Sequence, residues 1–336
     1  MTSVGERNQA KLAAMARQRG VATDLLTIRF VMERFLARLA ISAHGDRFAL
    51  KGALLLTVWH GDLLRATTDV DLHGLHEDDC GRMLGIVLDV CATIAEADDG
   101  ILFDGARAVW TRLAGGRIGG DRVTVPLQIG RAEARLKVDV GFGHPVTPGY
   151  ERRWYPSLLP GFRPSSLVCY PRETAIAEKL ATAVEFGGDN TRLRDYWDLH
   201  ALSRHHSYAG HLLVEAVRAT FASREAGEFV ARDDDYWTGS LRPEFGTAAR
   251  CKLWRSWIRS HAPSSDLEFP EALSSVIEFS MPLLHAVRNG GRLPGYWNPT
   301  TGWSRRSRTS DLRSGPGAPG PADPGGDPDG RVRPSR

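Results

Sequence analysis

The chain is short of lysine. Of its 43 Lys and Arg residues only five are lysine: Lys11, Lys51, Lys137, Lys179 and Lys252. Where arginine is the default cation, a lysine marks a position that wants a compact point charge, and three of the five fall inside the motifs below. Cysteine is also scarce. Cys80, Cys91, Cys169 and Cys251 are scattered without CxxC spacing, which argues against a disulfide framework or a zinc site. No apolar run approaches the ~18 residues of a membrane helix, and residues 1–20 lack the apolar stretch of a secretory signal. A cytoplasmic protein with no membrane partner is the expectation. Charge of either sign is nearly absent as a net quantity. The formal charge is +3, and seven arginines against four aspartates between Trp303 and Arg336 account for it. The remainder is close to neutral, so nucleic-acid binding would need a local basic patch.

What is present supports a real core. Hydrophobic residues make up 42% of 336, enough for one large domain or two ordinary ones. Helical spacing predicts helices over 5–20, 25–41, 77–98, 191–205, 209–225, 247–260 and 268–288, and one opening at Pro171 with a stripe of Ala175, Ala177, Leu180 and Val184. In the third of these, Ile94 joins the expected buried stripe. Period-two segments at Arg107–Leu113, Arg122–Ile129 and Arg135–Phe142, separated by glycine-rich turns, read as antiparallel strands. The Pro/Gly-rich stretch Gly143–Pro164 reads as a connection between domains, and the pattern decays after Asn289-Gly290-Gly291. The organisation expected is an α+β domain over 1–150, a helical domain over 165–300 and a disordered tail over 304–336.

The chemistry concentrates between Arg47 and Gly74. Lys51-Gly52 ends a strand and opens a helix, where glycine lets backbone N–H groups approach a phosphate. Asp69 and Asp71 are two apart on a following strand and so share a face. Two carboxylates held that close repel unless a cation joins them, and oxygen-only ligands favour Mg²⁺ or Mn²⁺. Such a pair is also common as solvated turn residues. Metal-assisted nucleotidyl transfer needs a third carboxylate on a neighbouring strand. Asp139, on the same face of its strand as Lys137, is the candidate; its alternative is a strand carboxylate paired with Lys137 or an arginine.

Lys51-Gly52, then Arg65-Ala66-Thr67-Thr68-Asp69-Val70-Asp71, then Lys137-Val138-Asp139 resembles the AbiEii/AbiGii-type nucleotidyltransferase toxins of the polymerase-beta superfamily. Tyr170-Pro171-Arg172-Glu173, Ala177-Glu178-Lys179-Leu180 and Arg194-Asp195-Tyr196-Trp197-Asp198-Leu199 look like the family's C-terminal signature. The resemblance implies a polymerase-beta-type domain, a mixed sheet with flanking helices, followed by a helical domain. It implies a metal-dependent toxin of a toxin–antitoxin or phage-defence system, with NTP as substrate. RNA, in particular tRNA 3′ ends, would be the acceptor. The cognate antitoxin would be a protein or act at the transcript level. Transfer to a small-molecule or protein hydroxyl is the alternative.

By the same resemblance Asp69, Asp71 and Asp139 are metal ligands, and Lys179 and Asp195 the helical basic and acidic catalytic positions. Lys51, Gly52, Arg65, Thr67 and Lys137 are nucleotide-binding positions. One departure is Ala53, where relatives often carry a second small polar residue or glycine. From the residues alone, Lys179 could instead be an exposed lysine paired with Glu178 or Glu185. Either Asp195 or Asp198 could orient Lys179, and Arg65 could pair with Asp62 or the carboxylates. Lys252, Arg255 and Arg259 line one face of the 248–260 segment. They read either as a phosphate track for RNA or as the wet side of an amphipathic helix.

Overall fold

Two helices lead into the first strand of the sheet, which ends in a glycine turn at Gly52. The computed structural model describes residues 2–61, 65–113, 119–224 and 238–305. Helices α1 (Val4–Arg19) and α2 (Thr23–Ile41) lead into strand β1 (Phe48–Lys51), the short helix α3 (Leu54–His60) and strand β2 (Val70–Gly74). Helix α4 (Met83–Ala92) and strands β3 (Ile101–Phe103), β4 (Val109–Leu113), β5 (Gly120–Ile129) and β6 (Ala132–Phe142) follow. Strands β7 (Glu151–Tyr155) and β8 (Ser165–Cys169) complete an eight-stranded mixed sheet of order β3-β5-β6-β2-β1-β8-β7, with β4 also paired to β5. The β2–β6 and β1–β8 pairs are parallel. Val70, Leu72, Val138 and Val140 turn into one apolar core with Phe30, Phe35 and Phe48. The opposite face of β2 and β6 is thereby left to the polar residues.

The second half is helical. Helices α5 (Arg172–Phe186), α6 (Leu193–His205), α7 (Gly210–Ser223), α8 (Ala248–His261) and α9 (Phe269–Arg288) build a separate apolar cluster around Tyr196, Trp254, Phe269 and Phe279. The indole of Trp254 is fully buried and donates to the Leu267 carbonyl at 2.7 Å. Burying a side chain of that size contributes roughly 2–3 kcal/mol, provided the N–H finds a partner.

Three features depart from the sequence pattern. The expected boundary at residue 150 precedes two further strands of the same sheet, and Tyr155, Leu167 and Tyr170 lie in its core. The helix expected over 77–98 begins only at Met83, after Gly81 at φ +84, and stops at Ala92. Ile94 is therefore off the buried stripe and 90% exposed. Beyond Arg288 the chain does not decay at once. Strands β10 (Tyr296–Asn298) and β11 (Gly302–Ser304) form a small sheet with β9 (Tyr208–Ala209), and Trp297 is buried against the helices. The expected disordered tail, apart from Ser304 and Arg305, lies outside the described residues. Among the described residues no helix is long and apolar enough to cross a membrane.

Candidate active site

Strand register assembles the carboxylates. Asp71 on β2 lies opposite Lys51 on β1 and opposite Asp139 on β6. Asp69, one residue before β2, is held by the Thr67 hydroxyl, which donates to its Oδ1 at 2.8 Å. One carboxylate oxygen from each of Asp69, Asp71 and Asp139 lies within 4.8 Å of the others. Burial, then the charge of Asp69, with Asp139 adding to it, pushes the Asp71 carboxyl up to about 6 against the pull of Lys51 and Arg194. The cluster gathers three carboxylates at short range. Its all-oxygen donor set, three carboxylates aimed at one space, fits a hard divalent cation.

Asp139 also has a protein partner. Arg122, opposite it on β5, forks onto both carboxylate oxygens at 2.6 and 2.5 Å. Asp139 is thus both a member of the acidic trio and an arginine-paired strand carboxylate. Lys137 stands two residues before Asp139 on that face, half-buried and outside the cavity that Asp69 and Asp71 line.

Gly52 is required by its surroundings. Its φ is +73, and a Cβ there would lie 2.7 Å from Cβ and Cγ of Asp71. Ala53, which follows, is buried. Lys51 and Gly52 form one wall of a 180 Å³ cavity together with Thr67, Asp69 and Asp71. Facing them from the helices are Lys179, Arg192, Arg194 and Arg224.

The cations are organised by buried acids. Asp198 accepts both arms of Arg65 at 2.6 and 2.8 Å and the Lys179 ammonium at 2.6 Å. Burial alone would raise its pKa; Arg65 and Lys179 hold it well below the usual carboxylate range. Asp195 reaches Lys179 at 3.4 Å and accepts from Arg192 at 3.0 Å. Of the two acids that share this helix face, Asp198 thus makes the shorter contact to Lys179, and Arg65 pairs with it. Burial would lower the Lys179 pKa, but Asp198 and Asp195 raise it, so the ammonium stays charged. Glu178 is a further organiser. Its Oε1 lies 3.7 Å from both Lys51 and Arg224, whose charges outweigh burial and lower its pKa.

Sequence reasoning missed Arg122, Arg224 and the bridging role of Glu178. Arg122 and Arg224 are two among many arginines, and only register and helix packing bring them to the site. The predicted RNA residues stand apart. Lys252, Arg255 and Arg259 are all exposed on α8, and Arg255 pairs with Glu268 at 3.1 Å.

A family model described as nucleotidyl transferase AbiEii toxin, type IV toxin–antitoxin system, matches residues 34–282. No curated protein sequence matches the chain. Among solved structures, a Helicobacter pylori protein described as a candidate nucleotidyltransferase shares 15% identity at a TM-score of 0.45, covering 80% of this chain and 97% of its own. JHP933 from Helicobacter pylori shares 16% identity at a TM-score of 0.46, covering 80% of this chain and 95% of its own. With the match running through the strand motifs, the acidic trio and the helical cations, this chain belongs to the AbiEii nucleotidyltransferase toxin family of type IV toxin–antitoxin systems.

Proposed function

We propose that the chain is a Mg²⁺- or Mn²⁺-dependent toxin that transfers a nucleotide from an NTP to RNA, with tRNA 3′ ends as the acceptor. The observation that supports this reading best is the acidic trio set beside a cation-lined cavity. A divalent ion held by Asp69, Asp71 and Asp139 would activate the acceptor hydroxyl and neutralise charge on the phosphates.

The chain's own residues do the rest. Gly52, without a side chain, leaves room for phosphate oxygens beside Asp71. Lys51, Lys179 and Arg194 neutralise the triphosphate, most strongly on the leaving pyrophosphate. Thr67 fixes the Asp69 carboxylate through its hydroxyl, in a place where it would serve as a metal ligand. Arg65 and Asp198 fix Lys179 from behind and are positioning residues. The acceptor hydroxyl gives up its proton to solvent, its oxygen bonds to the α-phosphorus, and the bond to the bridging oxygen breaks so that pyrophosphate leaves. Arg122 holds the Asp139 carboxylate in the trio, where it would be one of the ligands to a divalent ion. Lys137, outside the cavity, is left as a contact to the nucleotide or the acceptor. On the same reading, the sheet unit through Cys169 carries the carboxylates and the helical unit from Arg172 supplies the phosphate cations.

The row Lys252, Arg255 and Arg259 serves as a phosphate track for the RNA. Reversing Arg255 and Arg259 to Glu then flattens the salt dependence of RNA binding, by roughly one unit of slope for each phosphate no longer neutralised. The antitoxin that the family implies is the remaining partner. The deciding experiment incubates purified protein with each labelled NTP, Mg²⁺ and total RNA, and asks which pool takes up label. Label in RNA supports the reading. Label only in protein or in a small molecule moves the acceptor to that class.

A further inference from the structure

A second cavity, of 600 Å³, opens beside the catalytic one. The two share Arg65 and Thr67, the segment that leads directly into Asp69. The catalytic cavity, at 180 Å³, is below the roughly 300–1,000 Å³ usual for a small-molecule site, whereas its neighbour falls inside that range. An NTP and an acceptor must both reach the carboxylates, and the smaller space does not house both.

The lining of the larger cavity suits one nucleotide of a chain. The turn between α1 and α2 and the start of α2 supply Arg19 and Arg29 together with the apolar side chains of Val21, Leu25 and Leu26. The opposite wall is the end of α8, with His261, Pro263 and Ser264. Among the described residues no carboxylate lines it, in contrast to the catalytic cavity. Arg19, exposed at the end of α1, suits a phosphate, and the apolar side chains suit the face of a base.

The walls are also fixed. The Ala66 amide donates to the His261 carbonyl at 2.7 Å, which ties the α8 end to the segment entering the acidic trio. The His261 imidazole stacks on Trp257, with centroids 5.0 Å apart and planes 9° from parallel. Its Nδ1 lies 3.0 Å from the Trp257 carbonyl and donates to it, which sets the ring's orientation.

Direction of attack decides the occupant. In phosphoryl transfer the entering and leaving oxygens lie roughly in line on opposite sides of phosphorus. Lys51, Lys179, Arg192, Arg194 and Arg224 gather in the catalytic cavity. They draw the triphosphate, and so the leaving pyrophosphate, to that side. The entering hydroxyl then comes from across the Arg65–Thr67 segment. We infer that the cavity between the α1–α2 turn and the end of α8 binds the terminal nucleotide of the RNA acceptor and presents its hydroxyl to the acidic trio.

This assignment rests on the RNA-transferase reading, and the test separates the two. Ser264 is exposed at the rim and Leu25 is half-buried in the wall, so Ser264→Glu and Leu25→Trp alter the cavity with little demand on folding. Steady-state transfer from labelled NTP to total tRNA is measured for the full chain and both variants, with NTP affinity measured directly by titration. The expected result is a KM for RNA raised about tenfold or more by each variant, equivalent to about 1.4 kcal/mol, at unchanged NTP affinity. Ser264→Gln, which adds bulk without charge, raises it less than Ser264→Glu. NTP affinity falling in step with RNA would assign the cavity to the NTP base and overturn the inference. So would an unchanged KM for RNA in both variants while the unmodified chain labels RNA. An unmodified chain that labels no RNA refutes the underlying reading as well, a result distinct from either.

Discussion

Replacing Gly52 with alanine tests the site at its tightest point. The backbone there sits at φ +73, where an L side chain costs roughly 1–2 kcal/mol. The new methyl would also stand 2.7 Å from Cβ and Cγ of Asp71. A rotamer change of Asp71 would move its carboxylate but not its Cβ, which strand β2 fixes, so β1 and β2 must part by several tenths of an ångström. Stability should fall by roughly 1–3 kcal/mol, and each kcal/mol lowers Tm by about 2–4 °C in a chain of this order of size. The transfer rate should fall much further. A displacement of about 1 Å in a metal-binding carboxylate costs on the order of a hundredfold. Gly141→Ala is the matched control. It lies on β6 near Lys51, but its Cβ would meet nothing closer than 3.5 Å, an ordinary contact. Differential scanning fluorimetry and a labelled-NTP transfer assay read the two effects separately. A Gly52→Ala protein with transfer within twofold of the parent would refute the close approach of the glycine turn to Asp71. Equal loss from Gly141→Ala would show that the effect is general to the sheet.

Asp69→Asn, Asp71→Asn and Asp139→Asn should each lower transfer by orders of magnitude with the fold retained, and each should relieve growth arrest when the toxin is expressed alone; Asp139→Asn at near-normal rate would sink the three-carboxylate mechanism. The Asp71 carboxyl, pushed up from 3.8 to about 6, is protonated in the folded chain between about pH 4 and 6 while the unfolded chain has already released the proton. Metal-free stability should therefore fall as pH rises through that window, and in EDTA Asp71→Asn should exceed the parent by roughly 1–3 kcal/mol at pH 7 but not at pH 4, as urea titrations would show. Asp198→Asn leaves Arg65 and Lys179 buried without their shared partner and should cost about 3 kcal/mol or more, against about 1 for Asp195→Asn, whose second partner Arg192 is partly exposed; equal losses in chemical denaturation would contradict this ranking. Ending the chain at Gly302 removes Trp303, which stacks on Phe279 and donates to its carbonyl at 3.0 Å, and should cost roughly 2 kcal/mol, whereas ending it at Arg305 should leave both Tm and transfer intact.

Local periodicity made much of this chain legible. Alternation put Asp69 and Asp71 on one face because side chains on a strand repeat every two residues. The helix stripes from Thr23 to Arg288 were visible for the matching reason, an apolar spacing near 3.6. The glycine at position 52 was legible as a turn, since few other residues accept that backbone. The order of the motifs was enough to suggest the family.

What the sequence could not decide depends on contacts between distant segments. Asp139 meets Asp71 only because β2 and β6 pair in parallel in one register; a shift of one residue would turn its carboxylate into the core. Arg122 reaches Asp139 by the same register argument on β5. Asp195 and Asp198 occupy one helix face, so spacing could not rank them; packing of α5 against α6 set Asp198 beside both Lys179 and Arg65. Strands β10 and β11 are three residues each, too short to show a period, and they exist because Trp297 and Trp303 find a surface on the helices. Side-chain pattern thus determined which residues face the same way. Only the folded chain decided which of those faces meet, because meeting requires burial of apolar surface between segments far apart in sequence.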